Sequence, residues 1–111
     1  LDARRILPKL SQEHFPAQAL TAALYRASGV RGMERGVVSA GRDSVTGENY
    51  LPELELVRLA IPRRVYTQAH MDVTVNAVAR VMEAADEIKG LRFTYEPEML
   101  RFFQARFEPI D

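Results

Sequence analysis

Apolar and polar positions recur with two different periods along this chain, and the switches between them divide it into elements. Residues 16–28 place Leu20, Ala23, Leu24 and Ala27 on one side of a helix. Pro16 suits its first turn, where a missing N–H leaves nothing unpaired, and Gly29 suits the left-handed residue after its end. Residues 30–40 read as a strand, with Arg31, Met33, Arg35 and Val37 on one face and Glu34 and Val38 on the other. Gly32 and Gly36 within it signal close approach by a neighbour. The turn-rich segment 41–52 leads, as a long hairpin, to a second strand at 55–61. That strand is apolar on both faces apart from Arg58, so it is expected at the centre of its sheet. Beyond Pro62 the longest helix starts at Thr67, carries Met71, Val75, Val78, Met82, Ala85 and Ile88 at helical spacing, and stops at Gly90. Residues 91–96 form a short strand ended by Pro97. Residues 99–107 alternate as a last strand, Phe103, Ala105 and Phe107 opposite Leu100, Phe102 and Gln104. The order helix, two strands, helix, two strands predicts an α+β domain, an antiparallel sheet with helices on one face.

Composition narrows the function classes. The 111 residues are enough for one domain, 1–111, with a modest core, and 47% apolar with 27% charged residues is ordinary for a globular chain. A net charge of zero, with basic residues never interleaved with aromatics, argues against a nucleic-acid surface. No cysteine is present, which removes disulfides, thiolate nucleophiles and cysteine metal sites. No apolar run is long enough to span a bilayer, so no membrane association is expected and a cytoplasmic location is the expectation. The chain opens on Leu1 without an initiator Met and is read as a piece of a longer polypeptide. Its basic residues include only two lysines, Lys9 and Lys89.

Few side chains are candidates for chemistry. His70 and Asp72 stand two apart near a helix start and share no face; His70 is assigned to satisfying the first turn and Asp72 to the helix dipole. Ser11, Ser28, Ser39 and Ser44 lack the context of an activated nucleophile. The glycines of 41–47 lack the lysine and following helix of a phosphate loop. Arg58 is different, because an arginine in an apolar strand needs an anion. A buried pair with Glu34 or Glu96 and a carboxylate or phosphate ligand both satisfy it, and spacing leaves the two open, as it does for Arg35. Phe102 and Phe103, adjacent in a strand, must point opposite ways, and a core role is open to them.

The segments FPAQAL (15–20), GVR (29–31), MERG (33–36), GR with TG (41–47), VRL, IPRRVYT and AHMD (57–72), KGLRFTYEP (89–97) and LRFF with ARF (100–107) resemble the C-terminal part of the β-eliminating lyases, in order and over essentially the whole chain. The resemblance implies the small C-terminal domain of an aspartate-aminotransferase-type fold, within a homotetramer whose large domain carries pyridoxal phosphate on a lysine. It implies cleavage of an aromatic amino acid between Cβ and Cγ to the aromatic leaving group, pyruvate and ammonia, with a monovalent cation such as potassium as activator. It implies that Arg58 grips the substrate carboxylate. Neither Lys9 nor Lys89 matches the cofactor lysine, so cofactor and cation ligands are expected outside this chain, and the chain alone is expected to be inactive.

Three places separate the branches of that family. Met33 and Arg35 match the phenol-releasing branch, whereas the indole-releasing branch has apolar residues at both; Phe102-Phe103 matches the phenol-releasing branch, whereas the other has His-Phe. The resemblance thus makes Arg35 the catalytic contact to a phenolic oxygen, with Met33, Phe102 and Phe103 around the ring. Gln68, where the phenol-releasing branch has Tyr, and Ala60, where both have Thr, depart from the pattern. Two alternatives stand beside this reading: the indole-releasing lyase, and a stand-alone, non-catalytic α+β module that binds a carboxylate or a partner chain.

Overall fold

A computed structural model describes residues 1–110. In chain order the elements are α1 (Ala3–Ile6), a 3-10 turn (Gln12–His14), α2 (Pro16–Ser28), β1 (Met33–Arg35), α3 (Val37–Ala40), β2 (Leu56–Arg58), α4 (Gln68–Glu83), a second 3-10 turn (Ala85–Glu87), β3 (Leu91–Tyr95), α5 (Arg101–Gln104) and β4 (Arg106–Pro109). The α+β class is as expected. The antiparallel pairing, however, is divided between two two-stranded sheets, β1–β2 and β3–β4, among the described residues.

Helix α2 begins and ends where its punctuation places it. Phe15 enters from the left-handed region (φ 56), Pro16 occupies the first turn, and Gly29 closes the helix at φ 76. Ala17, Ala19, Leu20 and Leu24 are buried, and α4 packs against them. The buried stripe of α4 differs from the expected one. Ala77 and Val81 face α2, while Val75 and Met82 are 62% and 55% exposed. Val78, Ala85 and Ile88 of the expected stripe do pack against the main core, and a small residue at Ala77 lets the two helices approach. The helix also stops earlier than Gly90, at Glu83, and a 3-10 turn carries the chain onward. At its start Thr67 N–H donates to His70 Nδ1 at 3.0 Å, the first-turn role expected of that imidazole.

Strand β2 lies between two neighbours. On one edge it pairs with β1 in the register Met33↔Arg58, Glu34↔Val57, Arg35↔Leu56. On the other, the Leu1 amine donates to Val57 O at 2.8 Å, Val57 N–H donates to Leu1 O, and Ala3 N–H donates to Glu55 O. Val57 is buried in the main core and Arg58 is exposed, by the alternation of any strand. The expected strand over 30–40 is mostly absent. Val37 and Val38 are both buried, and an extended chain directs neighbours to opposite faces, so the backbone coils into α3 instead.

The second sheet is held by aromatics. Phe93 and Phe107 pair across β3 and β4 with centroids 4.8 Å apart, and Phe15 meets both edge-on at 4.8 and 5.6 Å. With Val37 and Val38 they form a second core cluster. The expected strand over 99–107 is replaced by α5 followed by β4. Leu100 enters α5 in the left-handed region (φ 55), which turns the chain where alternation alone reads straight. No helix among the described residues is long and apolar enough to cross a membrane.

The turn from β1 into α3 is built on two buried carboxyl groups. Glu34 accepts from Gly36 N–H and, at 2.9 Å, from Ser39 N–H. Glu55, only 1% exposed, accepts through Oε1 from Gln12 Nε2 at 3.0 Å and Val37 N–H at 3.2 Å. Its Oε2 is buried without a hydrogen-bond partner among the described residues. Burial pushes both carboxyls up, Glu34 to about 7, and the neighbouring Glu55 charge adds to the rise at Glu34. Gly36 makes the arrangement possible, since a Cβ there would stand 1.9 Å from Glu55 Oε2 and 2.9 Å from Glu34 Oε1.

Two measurements check this account. Gly36→Ala is expected to destabilise the fold by about 2 kcal/mol in denaturant unfolding, because the added methyl collides with the buried Glu55 and Glu34 carboxyl groups. A stability unchanged within error contradicts that packing. The folded Glu34 keeps its proton up to about pH 7, above its ordinary value of 4.5, so the native state binds more protons between those values. Stability from this group is therefore full below 4.5 and falls as pH rises through 7, by something on the order of 2 kcal/mol. Thermal unfolding of Glu34→Gln should show that slope flattened; parallel pH profiles for the two proteins count against a titrating Glu34.

Candidate functional site

Alternation along β1 and β2 assembles one polar face. Glu34 and Val57 point into the core, so Met33, Arg35, Leu56 and Arg58 point away from it together. Met33 and Arg58 are directly opposite in register, and Arg58 Nη2 lies 3.0 Å from Met33 Sδ. Arg35 follows one pleat along the same face, opposite Leu56. Among the described residues neither Arg35 nor Arg58 is joined to a carboxylate. Glu34 is committed to the turn after β1, and Glu96 to two other arginines. The structural ion pair that would explain Arg58 is therefore absent, and so is the burial that would demand one. What remains is a planar guanidinium on a short paired strand, beside a polarizable thioether, with a second guanidinium one pleat away. Such a face can receive a carboxylate at one end and an oxygen-bearing ring at the other.

Phe102 and Phe103 belong to a different element. They sit in α5, their ring centroids 4.1 Å apart, Phe103 65% exposed and Phe102 less so. Phe102 lines an open groove with Val38, Ser39, Arg42, Glu96 and Leu100. Met33, Arg35 and Arg58 are not part of that groove. The two clusters are joined by Arg101, which is 7% exposed. Its Nε donates to Val38 O at 2.9 Å and its Nη2 to Val37 O at 2.7 Å, while Nη1 reaches Asn49 Oδ1 at 2.7 Å and Glu96 Oε2 at 2.8 Å. Those carbonyls lie immediately after Arg35 and Gly36. Arg42 grips Glu96 from the other side with two hydrogen bonds of 2.6 and 2.7 Å. The bonds from Arg42, with Arg101 adding to them, hold the Glu96 carboxyl below its ordinary range.

Sequence reasoning passes over Arg101, although a signal exists. In the alternating reading of 99–107 it shares a face with Phe103, Ala105 and Phe107, and an arginine on an apolar face has to find acceptors. Glu55 is a second omission of the same kind, a carboxyl at the head of an apolar strand.

Neither lysine belongs to the polar face. Lys9 pairs with Asp86 at 2.9 Å on the outer surface, and Lys89 lies at the rim of a groove between α2 and the end of α4. Among the described residues no three His, Cys, Asp or Glu side chains gather as a metal centre. The face thus presents two guanidinium groups with no carboxylate partner among the described residues. It offers no lysine to a carbonyl cofactor.

The profile of the family described as beta-eliminating lyase matches residues 4–77. A tyrosine phenol-lyase of Nostoc punctiforme is 64% identical over 108 residues, which cover 97% of this chain and 23% of that protein. The tyrosine phenol-lyase of Symbiobacterium sp. is 64% identical over 110 residues, covering 99% and 24%, and that of Pasteurella multocida is 59% identical over 109 residues, covering 98% and 24%. The chain spans about a quarter of the length of these curated relatives. A profile that runs from α1 into the middle of α4, and relatives that match nearly the whole of this chain, place it in the beta-eliminating lyase family.

Proposed function

We propose that this chain is the small domain of a pyridoxal-phosphate-dependent tyrosine phenol-lyase, which converts L-tyrosine and water to phenol, pyruvate and ammonia. The observation that carries the reading is the pair of guanidinium groups, Arg35 and Arg58, standing on one face of β1–β2 with no carboxylate partner among the described residues. Pyridoxal phosphate, when bound, supplies the electron sink for charge at the substrate Cα. The lysine for it, and the ligands of an activating potassium ion, come from the rest of the polypeptide in a homotetramer.

Within this chain Arg58 takes the substrate carboxylate in a two-point grip that fixes the orientation of the bonds at Cα. Arg35, about two residues' rise away along the same face, hydrogen-bonds the phenolic oxygen and stabilises charge there as the ring departs. An indole ring has no such oxygen, so this contact discriminates between tyrosine and tryptophan. Met33, half-buried beside Arg58, fills the space against the ring, and Phe102 and Phe103 wall the slot.

The full-length protein is expected to release phenol from tyrosine faster than indole from tryptophan. The reverse preference would assign it to the indole-releasing branch, and inactivity on both would favour a non-catalytic binding module. In that protein Arg35→Ile is expected to lower kcat/KM for tyrosine by about a hundredfold while sparing substrates with good leaving groups, since only phenol needs help at its oxygen. Equal loss on both substrate classes removes Arg35 from this role. Arg58→Ala is expected to weaken binding of every amino-acid substrate and of simple carboxylate inhibitors by about tenfold or more. Unchanged inhibitor affinity would rule out the carboxylate grip.

A further inference from the structure

We propose that Arg101 is a positioning residue for leaving-group selectivity, clamping the Phe102–Phe103 wall to the end of the strand that presents Arg35. The proposal rests on the reading of Arg35 and the two phenylalanines given above.

Three observations carry it. First, α5 has only four residues and two of them expose aromatic rings, so its own hydrogen bonds and burial are too few to hold it. Second, Arg101 is the one buried side chain of that helix, and all of its bonds go outside it. Two go to consecutive carbonyls of α3, which starts two residues after Arg35, and two go to Asn49 and Glu96. The carbonyls are 63 and 64 residues away in sequence, so this one guanidinium joins the phenylalanines to the β1–α3 turn across most of the chain. Third, Leu100, the residue that enters α5, is in the left-handed region at φ 55. A leucine persists there when its surroundings over-determine the conformation, and the adjacent buried arginine does so.

The planar fork is what the task requires. Four acceptors lie around one guanidinium, at 2.7 to 2.9 Å, in directions a lysine ammonium at the end of a flexible stem does not match. The guanidinium also stands 5.4 Å from the Phe93 ring, which fixes its plane against the second core cluster. Arg101 itself stays inside the fold. It acts through the distance between the aromatic wall and Arg35, a distance that matters when a ring oxygen must reach that guanidinium and matters little when the leaving group departs unaided.

The test uses Arg101→Lys in the full-length protein, with tyrosine and an S-aryl cysteine as substrates and hydrogen exchange of the 101–105 amides as a second readout. The expected result is a loss of about tenfold or more in kcat/KM for tyrosine, about threefold or less for the S-aryl substrate, and faster exchange in α5 with β1 unchanged. Asn49→Ala, which withdraws one of the four acceptors, should move tyrosine turnover in the same direction by about threefold, and it keeps the test open if the lysine variant does not fold. Equal losses on both substrates, or α5 exchange that does not rise, would overturn the positioning role. If the unaltered protein releases no phenol from tyrosine, the proposed activity is what fails, and the exchange comparison then decides whether Arg101 holds the wall.

Discussion

At Gly36 the main chain has to leave the strand that carries Met33 and Arg35 while two carboxyl groups, from Glu34 and Glu55, pack against it away from water. Each side chain needs donors there, and the turn provides them through the N–H groups of Gly36, Val37 and Ser39. The α3 turn is therefore not a free loop that happens to follow β1. Its backbone is the solvent for those carboxyls, and its position follows from theirs. Because Glu34 faces inward, the residues on either side of it face outward, and these are the two that meet the substrate ring in the proposed reaction.

A second set of interactions connects that turn to the distant end of the chain. Val37 and Val38 join Phe15, Phe93 and Phe107 through apolar contact, while their carbonyls receive the Arg101 guanidinium. One short helix thus serves the second core cluster and receives the arginine of α5. The Arg42–Glu96–Arg101 network lies over the same region, half exposed on one side and buried on the other. In its buried half every nitrogen of the Arg101 guanidinium is engaged, through four of the five N–H donors, and such pairing favours a single arrangement of an inward-facing arginine.

Much of this was legible in the residues, and what was not has a common physical cause. Helix α2 was readable at both ends, because Pro16 and Gly29 act through local backbone geometry. The start of α4 at Thr67 and the end of β3 before Pro97 were readable for the same reason. The segment 99–107 was misread because its alternation satisfies a strand, and the deciding partner of Arg101 lies more than half the chain away. Residues 30–40 were overextended because nothing local says that both Val37 and Val38 are buried. Of the stripe expected on α4 and beyond it, Val78, Ala85 and Ile88 pack against the core while Val75 and Met82 are exposed, and the close helix contact is made through Ala77. At the site, residue type leaves a ligand and a structural ion pair equally open for Arg35 and Arg58, and Met33 gains a role only from the family resemblance. Their convergence required the strand register, which residue spacing does not contain. The place of Phe102 and Phe103 required a side chain that sequence reasoning passed over.

The flanking of β2 on both edges bears on how reliably the polar face can form. Side chains alternate, so a slip of β2 by one residue would send Val57 outward and Arg58 into the core. A three-residue strand paired on one edge has little to resist such a slip. Here Leu1 and Ala3, either side of the Asp2–Leu56 bridge at the entry to α1, bond to the opposite edge, so a shifted register would have to break pairing on both edges at once and bury a charge as well. The outward face of β1–β2 is thus protected by error correction at the level of strand pairing, since the wrong alignment is penalised three times over.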